Sequence, residues 1–215
     1  RAAFGDDHPN VAIRVNNIGS VLELRGDLED ALSSYREAER IDRAAFGDDH
    51  PNVARDVNNI GSVLKARGDL EGALSSYREA ERIDRAAFGD DHPNVARDVN
   101  NIGTVLGSRG DFDSALSLYR EAEQIDRAAF GDDHPKVAIR VNNIGSVHFA
   151  RGDRDAALAC AKQAFSIDLR YLGPRSMSTL LRARNLLACD VDPVVEARRV
   201  AGDEVAEQLV QALAE

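Results

Sequence analysis

Four histidines each follow a pair of aspartates, in Asp6-Asp7-His8, Asp48-Asp49-His50, Asp90-Asp91-His92 and Asp132-Asp133-His134. Histidine nitrogen and carboxylate oxygen are common metal ligands, so these clusters first suggest a metal. Their 42-residue spacing argues against it. If each interval holds two helices, equivalent histidines lie two helices apart. Packed helix axes are about 8–10 Å apart, whereas metal–ligand bonds are about 2 Å long. Capping a helix that opens at the following proline is the expected role. No metal and no cofactor is expected. No Ser, Cys or His stands in the distinctive context that a nucleophile needs, so an enzyme is not expected either. Cys160 and Cys189 fall outside the repeated pattern. They are expected to be buried packing residues rather than parts of a disulfide framework.

A second recurrent set can bind without catalysing. Asn16, Asn58, Asn100 and Asn142 recur with the same spacing, each followed by a second asparagine at 17, 59, 101 and 143. An asparagine amide both donates and accepts, so a row of them on successive helices could hold the backbone of an extended peptide. Asn16, Asn58, Asn100 and Asn142 are the first candidates, with Asn59 and Asn101 behind them. The alternative is internal: asparagine is unfavourable in mid-helix and needs compensation, which bonds to neighbouring helices or loops would provide.

The elements that carry these residues follow from the repeat. Arg-Ala-Ala-Phe-Gly-Asp-Asp-His-Pro starts at Arg1, Arg43, Arg85 and Arg127. A fixed period of this size must be read before any single global core is assumed. In the first repeat Val11, Val15, Ile18 and Leu22 keep helical spacing and define a helix A that starts at Pro9 and stops at Gly26. Asp27 then caps a helix B with Leu28, Ala31, Leu32, Tyr35, Ala38 and Ile41 on one stripe, running to Phe46 and Gly47. Glu39/Arg43, Glu81/Arg85 and Glu123/Arg127 sit four apart on helix B as solvated pairs. The fourth repeat has Ala161 where Tyr35 stood, and the register then decays. One more helix A is expected near 176–188, a short helix from Asp192-Pro193 and a last one from Gly202-Asp203, with Ala206, Leu209, Val210 and Leu213 as its apolar face. The expected division is a repeat array over 1–188, with four full repeats and a degenerate fifth, and a capping segment over 189–215. Arg1 to Gly5 match the end of a helix B, which suggests a fragment of a longer protein.

Composition narrows the function. A net charge of −10 argues against nucleic acid, whose binding requires a basic stripe. No window approaches the roughly 20 apolar residues of a membrane span, and no secretory leader is evident. With the sparse cysteines, this favours a cytoplasmic location. Lysine occurs only at Lys65, Lys136 and Lys162 while arginine is abundant, which reads as a GC-rich bacterial genome.

The spacing Val15, Ile18-Gly19, Leu22, Gly26, Leu28, Ala31, Tyr35, Ala38 resembles the packing signature of the tetratricopeptide repeat (TPR) family. The 42-residue period, with His-Pro-x-Val-Ala and Asn-Asn-Ile-Gly, is similar to kinesin light chain repeats, and like arrays occur in bacterial signalling proteins. The resemblance implies an all-α, right-handed superhelical solenoid of antiparallel helix pairs with a C-terminal helical cap. Its concave groove would be lined by helix A and bind a peptide or protein. The groove-facing positions fall on Ile13, Asn16, Asn17, Ser20, Glu23 and Leu24 and their equivalents, which include Ser62, Lys65 and Thr104. The family's carboxylate clamp is not reproduced, since only Asn59 and Arg97 fit it. Arg55, Lys65 and Arg97 would draw an acidic ligand into the groove, opposed by Asp56 and Asp98 as surface pairs to their neighbouring arginines.

The repeats differ at Ile13/Arg55/Arg97/Ile139, Arg14/Asp56/Asp98/Arg140, Glu23/Lys65/Gly107/Phe149 and Leu24/Ala66/Ser108/Ala150. Differentiated groove residues on a constant frame would suit one asymmetric ligand. The resulting reading is a recognition scaffold within a larger regulatory protein. Its rival is self-association, with apolar surface exposed at the N-terminal repeat, or an autoinhibitory clamp on other domains of the polypeptide.

Overall fold

The computed structural model describes residues 8–187, 189 and 191–214, all of whose regular structure is helical. The chain divides into two compact units, residues 1–109 and 110–215. The first holds α1 (Pro9–Arg25), α2 (Leu28–Phe46), α3 (Pro51–Ala66), α4 (Leu70–Phe88) and α5 (Pro93–Ser108). The second holds α6 (Phe112–Phe130), α7 (Pro135–Ala150), α8 (Arg154–Leu172), α9 (Met177–Leu187), α10 (Pro193–Ala201) and α11 (Asp203–Ala214). Odd-numbered helices through α9 are the expected A helices and even-numbered ones through α8 the B helices. The residue expected to close the fifth A helix, Ala188, lies outside the described residues.

The histidines cap. The Nδ1 atoms of His8, His50, His92 and His134 accept from the backbone N–H groups of Asn10, Asn52, Asn94 and Lys136 at 3.1–3.2 Å. Each cap satisfies one of the donors orphaned at a helix start. Phe46, Phe88 and Phe130 stack on His50, His92 and His134 with ring centroids 4.3–4.6 Å apart, which fixes the B-to-A corner. Asp69, Asp111 and Asp153 cap the B helices as expected. Asp27 occupies the same position but makes no side-chain cap bond. Each B helix ends on a glycine such as Gly47, whose φ of +87° an L side chain rarely adopts.

Within a pair, a small residue meets a large one. A Cβ at Gly19 or Gly61 would stand 2.8 Å from Cε1 of Tyr35 or Tyr77, so only glycine lets the rings pack there. The predicted B stripe is buried from Ala31 to Ile41, with Leu28 at its edge. In the second unit Cys160, half-buried, takes the place under Gly145. Phe165, Leu169, Ala183, Leu186, Ala197, Ala206 and Leu209 form a core shared by α8, α9, α10 and α11.

Two expectations need correction, and one position departs from its repeats. Cys189 is exposed, because it lies in the turn after α9 rather than under a helix. Val210 is exposed because Ala206, Leu209 and Ala212 form the inner face of α11. Ile18 is exposed although Ile60, Ile102 and Ile144 at equivalent positions are buried.

Candidate functional site

The residues predicted to bind lie on the A helices. In the first unit their side chains link one A helix to the next. Asn16 Nδ2 on α1 donates to Asp56 Oδ1 on α3 at 2.7 Å. Ser62 Oγ on α3 donates to Glu23 Oε1 on α1 at 2.9 Å, and Tyr35 Oη on α2 donates to Glu23 Oε2 at 2.8 Å. Asn101 Nδ2 on α5 donates to Asn58 Oδ1 on α3 at 2.9 Å. α1, α3 and α5 thus stand side by side as a cross-linked wall.

This wall divides the candidates. Asn16, Asn58 and Asn100 are buried, and Asn142 is half-buried on α7. Asn59, Ser62 and Lys65 on α3 and Asn101 and Thr104 on α5 are half-buried at the wall's surface. Thr104 Oγ1 donates to the Asn100 carbonyl at 3.0 Å. Lys65 has no ion pair among the described residues.

Arg55 and Arg97 are held in pairs. Arg55 contacts Asp42 Oδ2 at 3.1 Å and Asp56 Oδ1 at 2.8 Å, and Arg97 contacts Asp84 Oδ2 at 3.0 Å and Asp98 Oδ1 at 2.8 Å. All four carboxylates are buried, so the expectation that Asp56 and Asp98 form weak surface pairs is overturned. Asp42 and Asp56 share the Arg55 guanidinium, as Asp84 and Asp98 share that of Arg97, and one oxygen of each of these carboxylates is buried with no hydrogen-bond partner among the described residues. Burial pushes Asp56 up to about 7 and Asp98 up to about 8, offset only in part by the adjoining guanidinium. Burial raises Asp42 and Asp84 as well.

The sequence reading missed the partner in this arrangement, the aspartate one before Arg43, Arg85 and Arg127 and before Leu169. Asp42, Asp84, Asp126 and Asp168 are fully buried, and each meets an arginine on the next A helix. Arg140 Nε contacts Asp126 Oδ2 at 2.8 Å, and Arg182 with Ser178 holds Asp168. This explains part of the variation between repeats. Where the arginine stands at 55 or 97, an aspartate follows it. Where it stands one later, at Arg140, an isoleucine precedes it and no second carboxyl is needed. The available signal was an invariant Asp on an otherwise apolar stripe, which only a buried partner would tolerate.

The pairs Glu39/Arg43, Glu81/Arg85 and Glu123/Arg127 form at 2.7–2.9 Å but are half-buried rather than solvated. Arg43 also reaches Glu79 at 2.6 Å and so ties α2 to α4. A shallow depression in the second unit, floored by Leu116 and rimmed by Arg120, Gln124 and His148, includes none of the predicted residues. No described helix is long and apolar enough to cross a membrane.

Comparison with known proteins matches this architecture. Among curated proteins no relative matches the sequence. Solved structures do match. BtubC (BKLC) from P. vanneervenii aligns with a TM-score of 0.72 at 19% identity, over 96% of this chain and 79% of that one. A kinesin light chain-type protein of Podosopora anserina with nearly identical TPR-like repeats aligns with a TM-score of 0.69 at 14% identity, over 96% of this chain and 95% of that one. A single-substitution variant of that protein gives the same TM-score and identity. At such identity the likeness concerns the fold. The sequence profile of the tetratricopeptide repeat matches residues 12–86, 56–128 and 99–170. With helix pairs, capping histidines and glycine–tyrosine contacts at that period, this chain belongs to the tetratricopeptide repeat family.

Proposed function

We propose that the chain is a protein- or peptide-recognition module whose ligand lies along the A helices. TPR arrays are generally protein-interaction scaffolds. The observation that carries the proposal is the cross-linked wall of α1, α3 and α5. Its internal bonds hold Asn16 and Asn58 in place, Asn59 and Lys65 stand half-buried at its surface to meet a peptide, and Ser62, Asn101 and Thr104 beside them already donate within the wall and would meet it only with their remaining capacity. Asn100, buried on α5, belongs to that supporting row, and Asn142 stands half-buried on α7 of the second unit. Arg55 and Arg97 act mainly as struts, because their guanidinium groups already bind buried carboxylates. Lys65 is therefore the cation to which an acidic ligand would answer. The module extends over 1–188, with 189–215 as its cap, within a bacterial, cytoplasmic regulatory protein. No catalytic role is assigned to any residue.

Selecting short random peptides displayed on phage against the whole chain tests this reading. Recovered peptides are expected to be rich in Asp and Glu. Lys65→Glu is expected to weaken them about tenfold, the loss of a single contact of about 1.4 kcal/mol, with unchanged helicity. Failure to select any peptide, or binding insensitive to both Lys65→Glu and Asn59→Ala, would overturn it.

A further inference from the structure

The corners from Phe88 to His92 and from Phe130 to His134 are built alike. Gly89 and Gly131 both hold φ +86°, His92 and His134 both cap the next helix, and the two ring pairs stack at 4.3 and 4.6 Å. What lies on them differs. At the second of these corners Lys136 Nζ sits over the Phe130 ring, 4.3 Å from its centroid, and Arg170 pairs with Asp133. At the first, Asn94 stands in the place of Lys136, Asp91 is exposed with no ion pair among the described residues, and Phe88 is 44% exposed. Its other carboxylate, Asp90, is taken by Arg85 at 2.9 Å. The corner at Phe46 lies between these cases. Its ring likewise has an asparagine, Asn52, in the place of Lys136, but Asp49 pairs at 2.8 Å with Arg82, 33 positions further on. The same interval from Asp91 reaches Gln124, which carries no charge.

We propose that Phe88 and Asp91 form a docking point for a lysine presented by a partner protein, with its ammonium over the Phe88 ring as Lys136 lies over Phe130 and its charge answered by Asp91. Charge and geometry select this occupant. The face of an aromatic ring attracts a cation through its quadrupole. The dipole of the helix that starts at the corner opposes a cation there. Lys136 nevertheless takes that position at the start of α7, so the ring and the aspartates beside it outweigh the dipole. An ammonium on a flexible four-carbon stem is thus the group that this corner geometry already accepts. An acidic segment would be repelled by Asp91, and an apolar one would leave it unanswered. The point lies on a loop corner rather than on the A-helix wall proposed above and does not depend on that reading.

The probe is hexalysine, blocked at both ends and labelled, titrated against the whole chain by fluorescence anisotropy at physiological ionic strength. Saturable binding is expected. Phe88→Leu is expected to weaken it about fivefold and Asp91→Asn about threefold. Asn94→Lys, which supplies the cation from within the chain as Lys136 does, is expected to weaken it about tenfold by removing both contacts. Phe46→Leu, at the corner whose Asp49 is already paired, and Glu204→Gln, which removes an equal charge from α11, are expected to leave it unchanged. Circular dichroism checks the helices of every variant. Asn94→Lys reproduces a residue that the chain already carries at 136, so it tests the point even if Phe88→Leu disturbs its own corner. Absence of saturable binding, or binding indifferent to Asn94→Lys, overturns the proposal. So does a loss in Glu204→Gln as large as that in Asp91→Asn, which would mean general attraction to an acidic protein. Binding of spermidine as tight as that of hexalysine also overturns it, since the occupant would then be a free polyamine.

Discussion

Arg140→Met lowers the free energy of unfolding by about 3–5 kcal/mol, because it leaves Asp126 buried without its counter-charge. Asp126 is wholly inaccessible and Arg140 nearly so, and the 2.8 Å contact between them joins α6 to α7. The partnered variant Asp126→Leu, Arg140→Leu removes both charges and recovers most of that loss, since apolar groups of similar size can replace a buried pair at little cost. Urea unfolding followed by far-ultraviolet circular dichroism measures both. A loss below about 1 kcal/mol in the single variant would place the pair among ordinary surface contacts. Because repeat arrays are stabilised by the sum of repeat and neighbour terms, the effect is read first as a low-urea shoulder from the affected junction.

The second large effect is one of pH. Asp56 and Asp98 have an ordinary value of 3.8 and are raised on folding to about 7 and about 8. Between those values the folded chain holds protons that the unfolded chain has released. Their contribution is therefore complete below about pH 4 and is lost as pH rises through 7 to 8, by up to about 1.4 kcal/mol per pH unit for each proton. Around Asp56 stand Asp42, Arg55 and Asn16, and around Asp98 stand Asp84 and Arg97. With Asp56 and Asp98 raised by burial, the midpoint of urea unfolding is expected to fall steadily between about pH 4 and pH 8. Asp56→Asn, Asp98→Asn supplies a permanent neutral donor at each pair and is expected to flatten that dependence while keeping the helices. An unchanged pH slope in this double variant would show that Asp56 and Asp98 do not hold protons in the folded chain.

Much of the fold was legible because the repeat states it four times. The apolar stripe of each B helix, the proline at each A-helix start and the glycine at each end are local signals, and they specify elements whatever the neighbours do. Ile18 shows where local reading stops. The residue type is that of a core position, but its burial depends on a helix packing against it, and α1 has no such helix among the described residues. The site was legible only in outline. Sequence placed Asn16, Asn58 and Arg55 on the right helix, but not which of them turn inward to meet Asp56, Asn101 and Asp42. Those contacts join residues up to 43 positions apart, and depend on the angle between neighbouring A helices. The charged pairs were misjudged for the same reason. Arg-Asp on an amphipathic helix looks solvated until the invariant aspartate on the preceding B helix is brought beneath it.

The central claim is that a peptide ligand meets the A-helix wall. Nuclear magnetic resonance of the side-chain amides tests it most directly, with the whole chain titrated by a phage-selected acidic peptide. Asn59 and Asn101 lie at the surface of the wall, Asn16 is sealed against Asp56, and Gln124 and Gln163 stand exposed on the B helices α6 and α8. The account predicts that the amide signals of Asn59 and Asn101 shift on saturation while those of Asn16, Gln124 and Gln163 hold their positions. Shifts confined to Gln124 and Gln163, with Asn59 and Asn101 unmoved, would contradict it.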